Sequence, residues 1–259
     1  MRKTILAAVA AVTASLSGAA WAETLQVGAY PSNPPWEFKN EQSEFEGFEV
    51  DVIREVAKRN GWEVEIQDLG FQALFAATSS GRIDAAISSI TITEERLQNQ
   101  AFTQPYYDAA LVMVTSTDGP DTLAELKGVT VGGLASSTGE TWVGENTEKY
   151  GFGDYKSYPS QQNLLLDIVN GRVTAGISDY LGVAFAAEQM DGLKIAERVR
   201  TGEQYAIMLP KGSDKLEAVN AAISAMKEDG TMAALYEKWI GGTPTEGSST
   251  VTVMDIPKP

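Results

Sequence analysis

Apolar and polar residues alternate along this chain with two different periods, one typical of strands and the other typical of helices. Residues 24–30 alternate apolar with polar side chains, as a strand does when one face lies on a core. Residues 47–61 instead space their apolar side chains at helical intervals and end in Asn60-Gly61, a left-handed stop signal. The same reasoning predicts strands at 62–69, 83–87, 111–116, 129–132, 152–158, 173–179 and 204–209, and helices that end at Ser80, span 123–126 and 160–170, and fill most of 213–240. Strands that alternate with helices predict an α/β fold with loops gathered at one edge of each sheet.

Small hydroxyl side chains cluster directly after the predicted strand 83–87. Four of them fall within six residues: Ser88, Ser89, Thr91 and Thr93. A helix then opens with Glu94-Glu95-Arg96. Free amides and hydroxyls beside a helix start favour an anion, and an arginine there can bind a carboxylate through two hydrogen bonds. The alternative is structural: Thr93 caps the helix, and Arg96 pairs on the surface with Glu95 or Asp108.

A second polar corner follows the predicted strand 129–132, in the sequence LASSTGETW. The segment 171–178 also repeats the pattern of 81–88, and its strand ends at Asp179. If the two corners face each other, one side offers Arg96 with exposed amides and the other offers a carboxylate. A ligand that satisfies both carries an anionic and a cationic group close together, which describes an α-amino acid.

The first strand runs into the loop PSNPPW, whose three prolines exclude a helix and predict that no strand pairing occurs there. Tyr30, Asn33 and Trp36 then lie at the carboxyl end of a strand, where α/β sheets place their ligands. Phe71 follows the next strand in the same way. For Trp36 we expect a purely structural role as a core anchor of the loop.

Composition restricts the location and the chemistry of the chain. Residues 1–22 combine Arg2-Lys3, an apolar run and a terminal A-x-A, which predicts a cleavable secretory signal and a mature start at Glu23. The net charge of −15 argues against nucleic acid and anionic membranes as partners. The absence of His and Cys removes the usual ligands of zinc and haem, so we expect no metal or cofactor. We expect an untethered periplasmic protein without disulfides, with residues 243–259 as a loosely held tail.

Several motifs together resemble the polar amino-acid-binding proteins of bacterial ABC importers. They are NPPWEF, GFEVDVIREVAKRNG, GRIDAAISSITITEER, FTQPYYDAALVMV, GISD and LPKGSD, and the resemblance extends to about Ile240. It implies a two-lobe periplasmic-binding-protein fold of type II with two crossing hinge strands. Lobe one would comprise 23–107 and 205–242, and lobe two 108–204. Ligand capture by hinge closure and delivery to a membrane permease by a monomeric protein would follow.

The resemblance also implies roles for particular residues. Arg96 would bind the ligand carboxylate, helped by Thr91, Ser89 and the Gly139 amide, while Asp179 and Ser89 would bind the α-ammonium. Tyr30, Asn33, Phe71 and Glu140 would flank the ligand side chain, and Ser88 completes the corner. Many family members carry an aromatic residue where this chain has Asn33, and members selective for cations often carry an acid where it has Tyr30. Glu140 either compensates for that missing acid or faces solvent.

Two other interpretations remain open from the sequence. A few proteins of this fold are exported dehydratases of cyclohexadienyl acids, in which a cleft carboxylate acts as general acid, and Glu140 is the candidate for that role here. A ligand-sensing receptor domain would need a transmembrane segment that the sequence lacks. The retained Asp179 favours a binding protein rather than an enzyme, and we expect a polar or charged amino acid as its ligand.

Overall fold

The computed structural model describes residues 22–259, so the predicted signal segment lies outside the described residues except for its last position. The first part of the chain forms β1 (Thr24–Ala29), β2 (Ser32–Asn33), β3 (Glu37–Lys39), β4 (Phe45–Glu46), α1 (Phe48–Asn60), β5 (Glu63–Asp68), α2 (Phe71–Ser79), β6 (Ala85–Ile87), α3 (Glu94–Asn99) and β7 (Gln100–Phe102). The middle part forms β8 (Tyr107–Asp108), β9 (Leu111–Ser116), a 3-10 turn (Leu123–Leu126), β10 (Thr130–Leu134), α4 (Thr138–Tyr150), β11 (Asp154–Tyr158), α5 (Gln161–Val169), β12 (Ala175–Asp179), α6 (Tyr180–Gln189) and β13 (Leu193–Val199). The last part forms β14 (Gln204–Tyr205), β15 (Met208–Pro210), α7 (Leu216–Glu228) and α8 (Thr231–Trp239).

Two five-stranded sheets form the cores of two lobes, as the sequence predicts. The first has the order β5-β1-β6-β15-β7, and the second has the order β11-β10-β12-β9-β13. In each sheet the first three strands are parallel and the fourth runs antiparallel to its neighbours. That fourth strand, β15 or β9, is the one that arrives from the other lobe. Between residues 22 and 259, none of the helices has the length and apolar character needed to cross a membrane.

The two lobes are joined by a pair of crossing segments. β8 pairs antiparallel with β14, through Tyr107 with Tyr205 and Asp108 with Gln204. The rings of Tyr107 and Tyr205 stack with centroids 5.8 Å apart, and Trp36 meets both rings edge-on. This junction places the carboxyl ends of β6 and β12 on the two sides of one cleft.

The repeated pattern at 81–88 and 171–178 corresponds to the same local structure in both lobes. Gly81 and Gly171 end α2 and α5 with φ values of 69° and 68°. Each following arginine then donates its N–H to a carbonyl in the preceding helix, Arg82 to Ala77 and Arg172 to Asp167. The two segments therefore share the turn from helix to strand, whereas the corners after their strands differ, since Ser89 has a φ of 45° and Asp179 a φ of −59°.

Several predicted elements need correction. The PSNPPW loop does enter a ladder, since Ser32 pairs with Phe38 and Asn33 with Glu37, while the prolines stay outside these pairs. The predicted strand 204–209 is broken into β14 and β15. No hydrophobic pattern in the sequence predicts α4, α6 and β13. Their apolar side chains form no continuous stripe, because few residues of α4 and α6 are buried and β13 is half-buried along most of its length.

The prediction of a loosely held tail is wrong. Ser249 and Thr250 are buried, and the Ser249 N–H donates to Asp108 Oδ2 at 2.9 Å. The Thr250 hydroxyl donates to the Tyr106 carbonyl at 3.0 Å. The buried Lys227 ammonium donates to the Thr252 carbonyl at 2.9 Å and also to the Gln104 side chain and the Pro105 carbonyl. Residues 249–252 are thus hydrogen-bonded to Lys227 and to the segment that enters the first crossing strand.

A pair of buried carboxyl groups, Glu37 and Glu49, lies in the core of the first lobe. Both side chains are fully buried, and each carboxyl group lies close enough to the other to perturb its pKa. Within the described chain Glu37 Oε2 has no donor, so a proton between the two groups is what can satisfy it. Burial and the neighbouring carboxylate raise the pKa of Glu37 well above its ordinary value of 4.5. Glu49 has more donors, since it accepts from the Ser89 N–H and from the Tyr106 hydroxyl. We therefore assign the shared proton to Glu37 and the negative charge to Glu49.

Removal of residues 248–259 is expected to destabilise the protein, because four hydrogen bonds to the Gln104–Asp108 segment and to Lys227 are lost. At about 0.5–1.5 kcal/mol each, their loss lowers the melting temperature by on the order of 5–15 °C. Differential scanning fluorimetry measures this change. Removal of residues 258–259 alone is the control, and an equal melting temperature for both truncated proteins would contradict the assigned contacts.

Glu37→Gln is expected to stabilise the protein at neutral pH, because an amide can donate to Glu49 without having to hold a proton. Because the folded protein holds the Glu37 proton more tightly than the unfolded chain does, this proton contributes fully to stability below pH 4.5. The contribution is lost as the pH rises from 4.5 towards the raised pKa of Glu37. The difference in melting temperature between the variant and the wild type should therefore grow between pH 4.5 and pH 7. Glu49→Gln is the matched variant. Its free energy of unfolding is expected to fall by about 1–3 kcal/mol, because an acceptor is replaced by a donor. A wild type more stable than Glu37→Gln at pH 7 would refute the proton assignment.

Candidate functional site

Nine of the ten residues singled out by sequence line one pocket between the lobes. They are Tyr30, Asn33, Phe71, Ser88, Ser89, Thr91, Arg96, Gly139 and Asp179. The cavity that these residues enclose is small, about 50 Å³. Its lining also includes residues that sequence reasoning missed: Leu111, Leu134, Ser137, Thr138, Gln161, Ser178 and Tyr205.

The corner after β6 is held in shape by hydrogen bonds to its side chains and backbone. The Tyr30 N–H donates to Ser88 Oγ at 3.0 Å. Ser89 has a left-handed φ of 45°, and its N–H donates to both oxygens of Glu49 at 3.0 and 2.9 Å. Thr93 caps α3 by accepting the Arg96 N–H at 3.1 Å, as one of the two interpretations of this stretch predicted. The cap and a role in the pocket are therefore compatible.

The Arg96 guanidinium reaches across the cleft. Its Nη1 donates to the Thr91 carbonyl at 2.8 Å, and its Nη2 donates to the Ser136 carbonyl of the other lobe at 3.0 Å. The Phe75 ring lies 4.8 Å from the guanidinium carbon. Within residues 22–259 Arg96 forms no ion pair, so the alternative of a surface pair with Glu95 or Asp108 is not what the structure shows. Burial lowers the pKa of Arg96 to about 10, which leaves it charged at neutral pH.

Backbone amides surround the same end of the pocket. Thr91 pairs with Tyr205 in an isolated bridge, and in the described chain its own N–H has no protein acceptor. Thr138 and Gly139 start α4, where the first N–H groups of a helix are free for a ligand. A Cβ on Gly139 would lie 2.5 Å from the Ile177 carbonyl oxygen, so this close approach requires glycine. The local chemistry is that of an anion site.

Glu203 is a buried acid at this end that the sequence analysis did not identify. Its Oε2 accepts from the Thr91 hydroxyl at 2.9 Å and from the Thr138 hydroxyl at 3.1 Å, so it connects the two lobes. Burial raises the pKa of Glu203, while the charge of Arg96 opposes that shift. Glu203 lies in an irregular loop with no motif around it, so no pattern in the sequence marks it. Because the Thr91 hydroxyl donates its proton to Glu203, it has no proton left to donate to a ligand carboxylate.

Asp179 ends β12 and caps α6. Its carboxylate accepts from the Gly182 N–H at 2.6 Å, from the Tyr205 hydroxyl at 2.6 Å and from Trp36 Nε1 at 3.2 Å. Burial raises the pKa of Asp179, and these donors partly offset the shift. Trp36 is fully buried, as the core interpretation predicted, and it also contacts the carboxylate of the opposite lobe.

Glu140 does not line the pocket. Its carboxylate accepts the Ser136 N–H at 2.6 Å and lies beside the buried Tyr155 hydroxyl, in a neighbouring open groove. It therefore stabilises the corner before α4 rather than compensating for the acid missing at Tyr30. The same placement keeps it out of reach as a general acid, the role that the dehydratase alternative requires.

Comparisons with known proteins agree with this geometry. The family model of the bacterial extracellular solute-binding proteins, family 3, matches residues 25–242. The histidine-binding periplasmic protein of Salmonella typhimurium is 32% identical over 238 residues, which are 88% of this chain and 91% of that protein. The L-cystine-binding protein TcyJ of Escherichia coli K12 is 30% identical over 228 residues, 86% of this chain and 85% of that protein.

A solved structure of an ancestral arginine-binding protein bound to arginine superposes with a TM-score of 0.79 at 35% identity. The match covers 84% of this chain and 98% of the ancestral protein. The family consists of binding proteins rather than enzymes, and the family model spans most of the sequence. This chain therefore belongs to the bacterial extracellular solute-binding proteins, family 3.

Proposed function

We propose that this protein captures an L-amino acid in the periplasm and delivers it to the membrane permease of an ABC importer. The observation that carries the proposal is the presence of Arg96 and Asp179 in one pocket. Relatives named for histidine and cystine and a structural neighbour named for arginine bind ligands that share an α-carboxylate and an α-ammonium. These are the two groups that Arg96 and Asp179 complement.

The carboxylate is bound at the Arg96 end. A guanidinium has five N–H donors, and Arg96 uses two of its N–H groups on the carbonyls of Thr91 and Ser136. The remaining N–H groups of Arg96 and the free N–H groups of Thr91 and Gly139 donate hydrogen bonds to the ligand carboxylate. Both lobes thus contribute donors to one ligand group.

The ammonium is bound by Asp179, with oxygens of the Ser88–Ser89 corner as further acceptors. The three donors already on Asp179 keep it ionised without neutralising it. A ligand ammonium that enters this site loses its hydrating water and gains the buried Asp179 carboxylate as its partner, so that both charges are paired. Tyr30, Asn33 and Phe71 flank the ligand side chain.

Capture works by closure of the lobes about the crossing segments, with lobe one as 23–107 and 205–242 and lobe two as 108–204. Because the ligand contacts both lobes, it binds the closed form more tightly and shifts the population towards it. A permease can then distinguish loaded from empty protein by the orientation of the lobes. The protein acts as a monomer released from its signal peptide.

Arg96→Ala and Asp179→Asn are each expected to weaken amino-acid binding by about 2–5 kcal/mol, because each leaves one ligand charge buried without its partner. Isothermal titration with the preferred amino acid measures the loss, and the melting temperature of each variant reports on folding. Asn remains a good helix cap, so Asp179→Asn should keep α6 intact. Arg82→Ala, at an exposed arginine outside the pocket, is the control. Wild-type affinity in both site variants would overturn the assignment.

Ligand binding is expected to compact the protein. Small-angle scattering should show a smaller radius of gyration when the wild type is saturated with an equimolar mixture of the protein L-amino acids, since closure brings the lobes together. Asp179→Asn under the same conditions should keep the radius of the free protein. An unchanged radius for a wild type that calorimetry shows to be saturated would refute hinge closure.

A further inference from the structure

We infer that Glu203 is a positioning residue for amino-acid capture, and that it holds the closed lobes together by accepting a hydrogen bond from the Thr138 hydroxyl beside the carboxylate site. This inference rests on the proposed amino-acid function. Thr91 and Thr138 line both the pocket and the neighbouring open groove, whereas Glu203 lines only the groove. Glu203 therefore acts on a ligand through these two threonines rather than by touching it.

The contact between Glu203 and Thr91 does not depend on closure of the lobes. The backbone of residues 90–92 is hydrogen-bonded to that of residues 204–206, directly after Glu203, through bonds of 2.9 and 3.2 Å. These bonds keep Thr91 next to Glu203, and the Thr91 hydroxyl donates to Glu203 Oε2 at 2.9 Å. The first lobe thus carries Glu203 at a fixed place behind the pocket.

The contact that closure makes is the one with Thr138. This residue is the first of α4, which belongs to the second lobe. Its hydroxyl donates to the same Oε2 of Glu203 at 3.1 Å. A hydrogen bond is lost beyond about 3.5 Å, so opening of the lobes breaks this one while the bond from Thr91 persists.

Other hydrogen bonds cross the cleft at the pocket, but they involve the two charges that the ligand uses. Arg96 donates to a carbonyl of the second lobe, and Asp179 accepts from two side chains of the first lobe. A bound amino acid shares these donors and acceptors. The bond between Thr138 and Glu203 involves neither charge, so it keeps its full strength when the ligand is present.

One carboxylate oxygen also sets the spacing of two backbone amides in the anion site. The free Thr91 N–H lies on one side of the cleft, and the Gly139 N–H follows Thr138 on the other. Because both threonine hydroxyls donate to Glu203 Oε2, the two amides stay close enough to bind one carboxylate. Loss of the contact with Thr138 should therefore speed the release of the ligand more than it slows capture.

Glu203→Gln and Glu203→Asp separate the reach of the side chain from its charge. Gln keeps the length and an acceptor oxygen without the charge, and it should bind within about fivefold of the wild type. Asp keeps the charge but is one methylene shorter, so the closed form loses a hydrogen bond to a charged acceptor, and its affinity should fall about 10- to 100-fold. A loss in the Gln variant as large as that in the Asp variant would mean that Glu203 acts through its charge, and would overturn the inference.

The ligand for these measurements is the amino acid that raises the melting temperature of the wild type most, among the twenty protein L-amino acids and L-cystine. Calorimetry gives the affinities, and stopped-flow tryptophan fluorescence should assign the loss in Glu203→Asp to faster dissociation. Wild-type affinity in Glu203→Asp would overturn the inference and leave the proposed function intact. If none of these amino acids binds the wild type, the proposed function fails, and this inference fails with it.

Thr138→Val tests whether the threonine hydroxyl serves Glu203 or the ligand. Its affinity should fall about 10- to 100-fold in the wild type but less than about twofold in Glu203→Asp, where the contact is already lost. Equal losses in both backgrounds would assign the hydroxyl to the ligand and refute the inference. Thr141→Val is the control, since Thr141 is exposed on α4 and its hydroxyl donates to the Ser137 carbonyl at 3.4 Å. It should bind as the wild type does, and the melting temperature of each ligand-free variant reports on folding.

Discussion

The hydrogen bonds between the Glu49 carboxylate and the Ser89 amide are the contact on which the site depends. Ser89 holds a left-handed φ of 45°, a conformation unfavourable for a residue with a side chain. A buried charge that accepts the amide with both oxygens offsets that cost. The turn at Ser89 directs the chain so that Thr91 faces the pocket and α3 begins early enough to place Arg96 beside it. Tyr106 donates to the same carboxylate just before β8, so the corner and the first crossing strand share one anchor.

The two charges of the pocket are held by neutral groups rather than by opposite charges. Carbonyl oxygens hold Arg96, and N–H and O–H groups hold Asp179. Dipoles of this kind orient a charge and keep it ionised, but they do not cancel it. The empty site therefore retains a positive and a negative group ready for a zwitterion. One of the groups that hold each charge comes from the opposite lobe, the Ser136 carbonyl for Arg96 and the Trp36 N–H for Asp179. Each charge is therefore fully held only when the two lobes are close together.

The sequence predicts most of the first lobe because its elements have regular apolar periods. The α1 residues Phe48, Val52, Ile53 and Val56 recur at helical spacing, and all are fully buried. The helices that the sequence does not predict, α4 and α6, are only partly buried, so their apolar residues do not recur with the helical period of 3.6. Arg96 and Asp179 could be found because each follows a strand in a recognisable motif. Glu203 could not, since its role arises from contacts between distant segments, namely the Thr91 and Thr138 hydroxyls that donate to it.

The order of strands in the first sheet has a consequence for how the chain reaches its native state. β15 lies between β6 and β7, so these two early strands have no partner in common until the chain has returned from the second lobe. The second sheet, by contrast, is assembled from one uninterrupted stretch between Leu111 and Val199. Pairings between distant segments form more slowly than local ones, because a longer loop must be closed first. The lobe that is synthesised second is therefore the one able to complete itself first, and the lobe that carries Arg96 gains its anion site only when the last strand is inserted.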